Sequence, residues 1–253
     1  DTKLNMIDTP GYADFIGEVI ATTRAIDNML MVVCGVAGVE VQTEVIWDIA
    51  QGNKMPRIIF INKLERENSC FETVVEQMRE KYGTGIVPLQ LPMGKEADFV
   101  GMIDLLNEKA YKFENGKSVE IPIPEEYMEE YEANRTYLIE VAAESCDELL
   151  LKYLEGEVPT NKEILSALRM GIANGEIFPV VGGSVAKNMG IDILMDICVD
   201  LLPIPTVNAA APASAIVFKT LADPFVGKLS FIKVIDGQFN AGDGIYNVSN
   251  DIE

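Results

Sequence analysis

The chain of 253 residues contains no histidine. That absence removes Ser-His-Asp and Cys-His nucleophilic catalysis and most catalytic zinc sites, all of which need an imidazole as base or ligand. Cysteine is scarce: Cys34, Cys70, Cys146 and Cys198 stand far apart, and none forms a Cys-x-x-Cys pair. Such spacing reads as free thiols in a reducing compartment, so a cytoplasmic location is expected. No apolar run approaches the ~18 residues of a membrane-spanning helix, and no signal peptide is visible. Positive charge is also short. Twenty Lys and Arg face forty Asp and Glu, a net charge of −20, which argues against broad contact with DNA or other phosphate backbones. The first residue is not Met, so a fragment of a longer polypeptide is expected. No internal repeat is visible.

What is present alternates. Residues 4–7 read as a buried strand, 13–27 as a helix with Phe15, Ile16, Val19, Ile20 and Ile26 on one face, and 28–35 as a second strand. A helix over 41–50 follows, then a strand over 57–61 ending at Asn62-Lys63, and a helix capped by Ser69 that runs to about Lys81. Fully apolar strands alternating with helices predict a parallel sheet covered on both faces. After residue 85 the texture changes. Short strand-like runs surround residues 89–92, 101–104 and 110–113. Between Glu120 and Glu157 there are twelve acidic residues and two basic ones, with an apolar stripe at helical spacing. This reads as a helical insert with a solvated acidic face, or as a docking surface for a basic partner. The alternation resumes with a strand at 178–182 and a helix over 191–202. Residues 206–214 read as a linker. Strands at 215–219, 228–235 and 244–247, split by Asp236-Gly237 and Ala241-Gly242-Asp243 turns, predict the start of a β-barrel.

Three strand-end loops carry the chemistry. Asp8-Thr9-Pro10-Gly11 delivers one carboxylate at a chain break. It suits the γ-phosphate end of a GTP site, the acid facing a magnesium shell and the glycine letting its N–H approach a phosphate oxygen. Asn62-Lys63-Leu64-Glu65 offers an amide for a purine edge, a lysine stem to cover the ring and a carboxylate for the N–H groups of guanine. Gly183-Ser184-Val185 is a tight loop able to aim a backbone N–H at guanine O6. Each alone is weak; the three in order are specific.

In these motifs the chain resembles the translational GTPases, and elongation factor G most closely. Gly38 to Glu44, Pro88 to Pro92, Glu148 to Gly156 and Asp223 to Leu229 extend the likeness over nearly the whole chain. The resemblance implies an α/β, P-loop NTPase-like GTPase core (1–85 and 178–205), an inserted α+β subdomain (86–177) and the opening of a translation-factor β-barrel (206–253). It implies GTP or GDP with Mg2+, GTP hydrolysis during translocation, and a ribosome partner through rRNA and stalk proteins, with no membrane or DNA partner and a monomeric state. By the same resemblance Asp8 contacts magnesium through water, Gly11 meets the γ-phosphate, Asn62, Lys63 and Glu65 hold guanine, and Ser184 and Val185 close over it.

Four departures stand against the family pattern. The first strand, the phosphate loop (Gly-x-x-x-x-Gly-Lys-Ser/Thr) and switch I are not in the chain, so weak or absent nucleotide binding is expected of this segment alone. Tyr12 occupies the position of the histidine that orients the attacking water. A phenol, with a reference pKa of about 10, is a poor base at neutral pH, although it can still hydrogen-bond; alternatively Tyr12 merely packs at the strand–helix junction. Glu65 replaces the usual aspartate, which predicts softer guanine selectivity. Val185 replaces a small residue. These leave two alternatives open: a ribosome-binding paralogue or ribosome-protection factor with weak or no hydrolysis, and an acidic interaction domain that has lost nucleotide binding.

Overall fold

The computed structural model describes residues 2–252. It divides into two compact units, one built mainly on Asp27–Pro203, the other on Asn5–Ile26 with the residues from Ile204 onward. In the first unit, β1 (Met29–Cys34), β2 (Arg57–Asn62), β3 (Ile86–Pro88) and β8 (Phe178–Gly182) form a parallel sheet in the order β1-β2-β8-β3. Helix α2 (Val41–Gly52) connects β1 to β2, α3 (Phe71–Tyr82) connects β2 to β3, and α7 (Ile191–Leu201) follows β8. The predicted mixed α/β, parallel-sheet class is thus observed. Ile58, Ile59, Phe60 and Ile61 are essentially without solvent exposure. Burying each such side chain stabilises the fold by roughly 1.5–3 kcal/mol, which is why β2 reads as an unbroken apolar run.

A second sheet, antiparallel in the order β4-β5-β6-β7, joins Gln90–Met93, Gly101–Asp104, Lys109–Glu114 and Lys117–Ile121. Asn115 and Gly116 link β6 to β7 at φ 53° and 74°, the mirror-image turn that matches the twist of a hairpin. Helices α4 (Met128–Glu144), α5 (Asp147–Leu154) and α6 (Asn161–Asn174) follow. The Thr160 hydroxyl accepts from Glu163 N, and the Glu163 carboxylate accepts from Thr160 N, a reciprocal cap that starts α6. Leu91, Ile103, Leu138 and Ile164 share one apolar core with Ile58, Phe60 and Val181 of the parallel sheet.

Arg57 opens β2 with its side chain fully buried. Its guanidinium lies 4.0 Å from the Trp47 ring centre and 4.3 Å from that of Phe178. It donates to the Trp47 carbonyl at 3.4 Å and to Gln51 Oε1. Burial pulls its pKa down to about 10.

Three local expectations are corrected. Residues 4–7 are not a strand: Thr2 to Gly11 is irregular, with Met6 exposed and no strand pairing to it among the described residues. An apolar run satisfies its backbone as a strand only where a neighbour accepts the ladder. The helix expected over 13–27 begins as a 3-10 turn, Ala13–Phe15, and its α-helical part, α1, spans Ile16–Thr23. The residue at the N-cap of α3 is Cys70, not Ser69, whose hydroxyl donates instead to the Leu64 carbonyl at 2.8 Å.

The second unit carries α1 and an antiparallel pair, β9 (Ser214–Asp223) with β10 (Gly227–Asp236). Lys219 Nζ and Glu18 Oε2 form an ion pair at 2.9 Å. Residues 244–247, expected as a strand, make only an isolated bridge between Asn247 and Ile252.

Candidate functional site

The chain ends of β2 and β8 meet. β2 pairs with β8 in parallel through Ile59, Phe60 and Ile61, so the loop after each strand emerges at the same edge of the sheet, where crevices form in open α/β folds. Gly183 N donates to the Ile61 carbonyl at 3.0 Å, and Leu64 N to the Gly183 carbonyl at 3.3 Å. A side chain at Gly183 would stand 2.4 Å from the Met189 carbonyl and 3.1 Å from the Phe60 ring; only glycine allows this approach.

Asn62 organises the crossing. Its Oδ1 accepts from Lys63 N at 2.8 Å and from Val185 N at 3.0 Å. The first bond stabilises Lys63 in the left-handed region at φ 68°, an uncommon conformation for lysine. The second ties residues 123 positions apart in sequence. The Val185 N–H, read from sequence as aimed toward a purine, is therefore engaged with Asn62. The loop after β8 closes on itself: Ser184 N donates to Met189 O at 3.1 Å and Met189 N to Ser184 O at 2.8 Å. Lys187 N donates to Ser184 Oγ at 3.2 Å, and Ser184 is fully buried.

The Glu65 side chain is only 7% exposed, with Oε1 at 3.6 Å from Arg66 Nε. Its Oε2 is buried and makes no hydrogen bond among the described residues. Burial works to raise its pKa, but bonds from the Ser184 hydroxyl and Glu65's own N–H, with the charges of Arg66 and Lys187, outweigh it. The carboxyl is held below its usual range. An ionised, buried carboxylate oxygen without a donor is costly unless a ligand supplies one.

The first unit thus gathers Asn62, Lys63, Glu65, Ser184 and Val185, all at one sheet edge. Asp8, Gly11 and Tyr12 belong to the second unit. There Tyr12 is 77% exposed and precedes the Ala13–Phe15 turn, its carbonyl accepting from Phe15 N at 3.0 Å. Among the described residues no group of three or more His, Cys, Asp or Glu is placed to hold a metal. Asp8 alone does not make a magnesium site. No helix among the described residues is long and apolar enough to cross a membrane. The sequence did not reveal the Asn62–Val185 bond. It does hold a signal for the β6–β7 hairpin, the Asn115-Gly116 pair, whose residues both take positive φ.

Comparison with known proteins agrees with this geometry. The profile of the elongation factor Tu GTP binding domain matches residues 1–204. Elongation factor G of Mycoplasma pneumoniae is 38% identical over 97% of the chain, which spans 39% of that protein's length. A crystal structure of a Thermus thermophilus protein, 33% identical, superposes with a TM-score of 0.85 over 93% of the chain and 36% of its own. The family model covers most of the chain, and the similarity to elongation factor G extends over nearly all of it. The chain belongs to the family of the elongation factor Tu GTP binding domain and is elongation factor G-like.

Proposed function

We propose that the loops after β2 and β8 hold the guanine ring of GTP or GDP, in a ribosome-associated GTPase that works as elongation factor G does, in translocation. On this reading residues 1–85 and 178–205 are the GTPase core, 86–177 an insert and 206–253 the opening of a β-barrel domain. The observation that carries it is the buried Glu65 Oε2, ionised and without a donor among the described residues. Guanine offers the N–H groups that would satisfy it. Asn62 would reach the purine edge, Lys63 cover the ring, and Ser184 keep the carboxylate in place, while Val185 N would share its proton between Asn62 Oδ1 and the purine O6. Asp8 and Gly11 would face the phosphates. Bound GTP supplies the γ-phosphoryl group; positioning and charge stabilisation do most of the work in its transfer.

Tyr12 favours a second reading within the same family, a ribosome-binding paralogue with slow hydrolysis, because a phenol orients water less effectively than an imidazole does. One experiment separates base recognition from turnover. The intact protein is loaded with a fluorescent GDP analogue and challenged with GTP, ATP and XTP, and ribosome-stimulated hydrolysis is measured alongside. Displacement by GTP is expected to exceed that by ATP or XTP, by a narrower margin than an aspartate at position 65 would give; a full preference for GTP would show that the loop compensates for the longer Glu65. Equal displacement by all three, or no loading, would overturn the assignment of the guanine site. Loading without ribosome-stimulated turnover would favour the paralogue.

A further inference from the structure

The tip of the β6–β7 hairpin is fastened to the loop that follows β8. Asn188 Nδ2 donates to the Gly116 carbonyl at 3.0 Å. Close by, Asp192 in the first turn of α7 accepts from Ser118 N at 3.0 Å and from the Ser118 hydroxyl at 2.6 Å. Backbone geometry prepares both ends. Gly116 sits in the mirror-image turn, and Asn188 holds φ 52°, a conformation asparagine tolerates better than most residues. A methyl group on Gly116 would stand 3.1 Å from Asn188 Nδ2, so the two chain segments are already close.

The bonds continue toward the base site. Asn188 N donates to the Val185 carbonyl at 3.1 Å, and Val185 N to Asn62 Oδ1 at 3.0 Å. Three hydrogen bonds therefore lead from the hairpin turn to the amide that ends β2, without passing through the apolar core. Val185 to Asn188 are exposed, so packing does little to fix this segment and hydrogen bonds must do it. The Asp192 carboxyl remains ionised: burial opposes the charge, but the Ser118 hydroxyl, Ser118 N and Ile193 N outweigh it and hold the pKa below the usual range.

We infer that Asn188 and Asp192 are positioning residues for the base site: by fastening the 184–189 loop and the first turn of α7 after it to the β6–β7 hairpin, they set how long a guanine nucleotide stays bound. A partner that displaces the hairpin tip would then speed nucleotide release. The inference rests on the assignment of the guanine site made above.

The test uses the intact protein. Dissociation of the fluorescent GDP analogue is followed by stopped flow for wild type, Asn188→Asp, Ser118→Ala and Ser118→Thr, with thermal unfolding beside it. Asn188→Asp keeps the backbone conformation and removes the donor; Ser118→Thr keeps the hydroxyl. Asn188→Asp and Ser118→Ala are each expected to speed dissociation roughly 2- to 10-fold, the range of one exposed hydrogen bond, with Tm unchanged. Ser118→Thr is expected to restore the wild-type rate. Amide exchange at Val185 and Asn188 should quicken in the first two variants and stay unchanged in β2 and β8. Unchanged dissociation in both variants overturns the inference and leaves the base site standing. Rates that rise only in step with a falling Tm, or that Ser118→Thr does not restore, also overturn it. A wild-type protein that loads no guanine nucleotide overturns the site and the inference together.

Discussion

The backbone N–H of Val185 donates to Asn62 Oδ1 at 3.0 Å, so the loop after β8 is held by the side chain that ends β2. Asn62→Ala removes that acceptor. Faster amide exchange at Val185 is expected, with Ile59 and Ile61 unchanged inside the sheet. Asn62→Asp keeps an acceptor of the same shape and should leave Val185 protected. Exchange read residue by residue by NMR decides it. Equal loss of protection in both variants would show that the amide nitrogen, not Oδ1, organises the crossing.

Glu65 makes a pH prediction. Its carboxyl is held below the reference value of 4.5 in the folded chain. A lowered folded-state pKa contributes stability that is complete above the unfolded value and is lost as pH falls through the folded one. Urea midpoints should therefore drop on acidification from about pH 5, and part of that drop should vanish in Glu65→Gln. The comparison is needed because the other carboxylates with lowered pKa, Glu163, Asp192 and Asp223, also lose their stabilising charge on acidification.

The sequence foretold the strands whose chemistry is unambiguous. β2 and β8 are apolar because both faces are covered, and their order with the intervening helices dictates a parallel sheet; β1 carries the same apolar run, but Leu30 and Val32 on one of its faces are exposed, so the expected cover is missing there among the described residues. Residues 4–7 carry the same signal, yet form no strand, because an apolar pattern states what a segment could bury and not whether a neighbour is there to pair with it. Ser69 failed as a cap for a related reason: its hydroxyl found a tertiary partner at Leu64. At the site, residue types were legible and their links were not. Glu65, Ser184 and Asn62 stood out by position, but the Asn62–Val185 and Asn188–Gly116 bonds depend on which strands become neighbours.

Tyr12 offers a functional prediction. Its side chain is exposed, so replacement carries little packing cost. Tyr12→His in the intact protein is expected to raise ribosome-stimulated GTP turnover by about 10- to 100-fold, toward the lower range that a positioned acid–base group contributes, with nucleotide affinity unchanged. Single-turnover hydrolysis with saturating ribosomes measures it. An unchanged rate would mean that the phenol already orients water adequately or that position 12 plays no part in hydrolysis.

Arg57 tests whether a buried cation stabilises this fold. Its guanidinium lies between Trp47 and Phe178, and among the described residues Nε has no partner and no carboxylate pairs with the group. The aromatic faces offset part of the desolvation cost, since such contacts contribute up to about 2 kcal/mol when buried. Removing a charge from water costs several kcal/mol. Two substitutions separate the terms. Arg57→Met keeps most of the volume against both rings and discards the charge; it should be neutral or stabilising by about 1–2 kcal/mol, because Gln51, itself exposed, can return its Oε1 to water. Arg57→Ala leaves a void beneath Trp47 and should cost about 2–5 kcal/mol. Urea unfolding with m-values checked for two-state behaviour gives both numbers. If Arg57→Met loses as much as Arg57→Ala, the cation–π contacts outweigh desolvation, and the guanidinium is a stabilising element of the core.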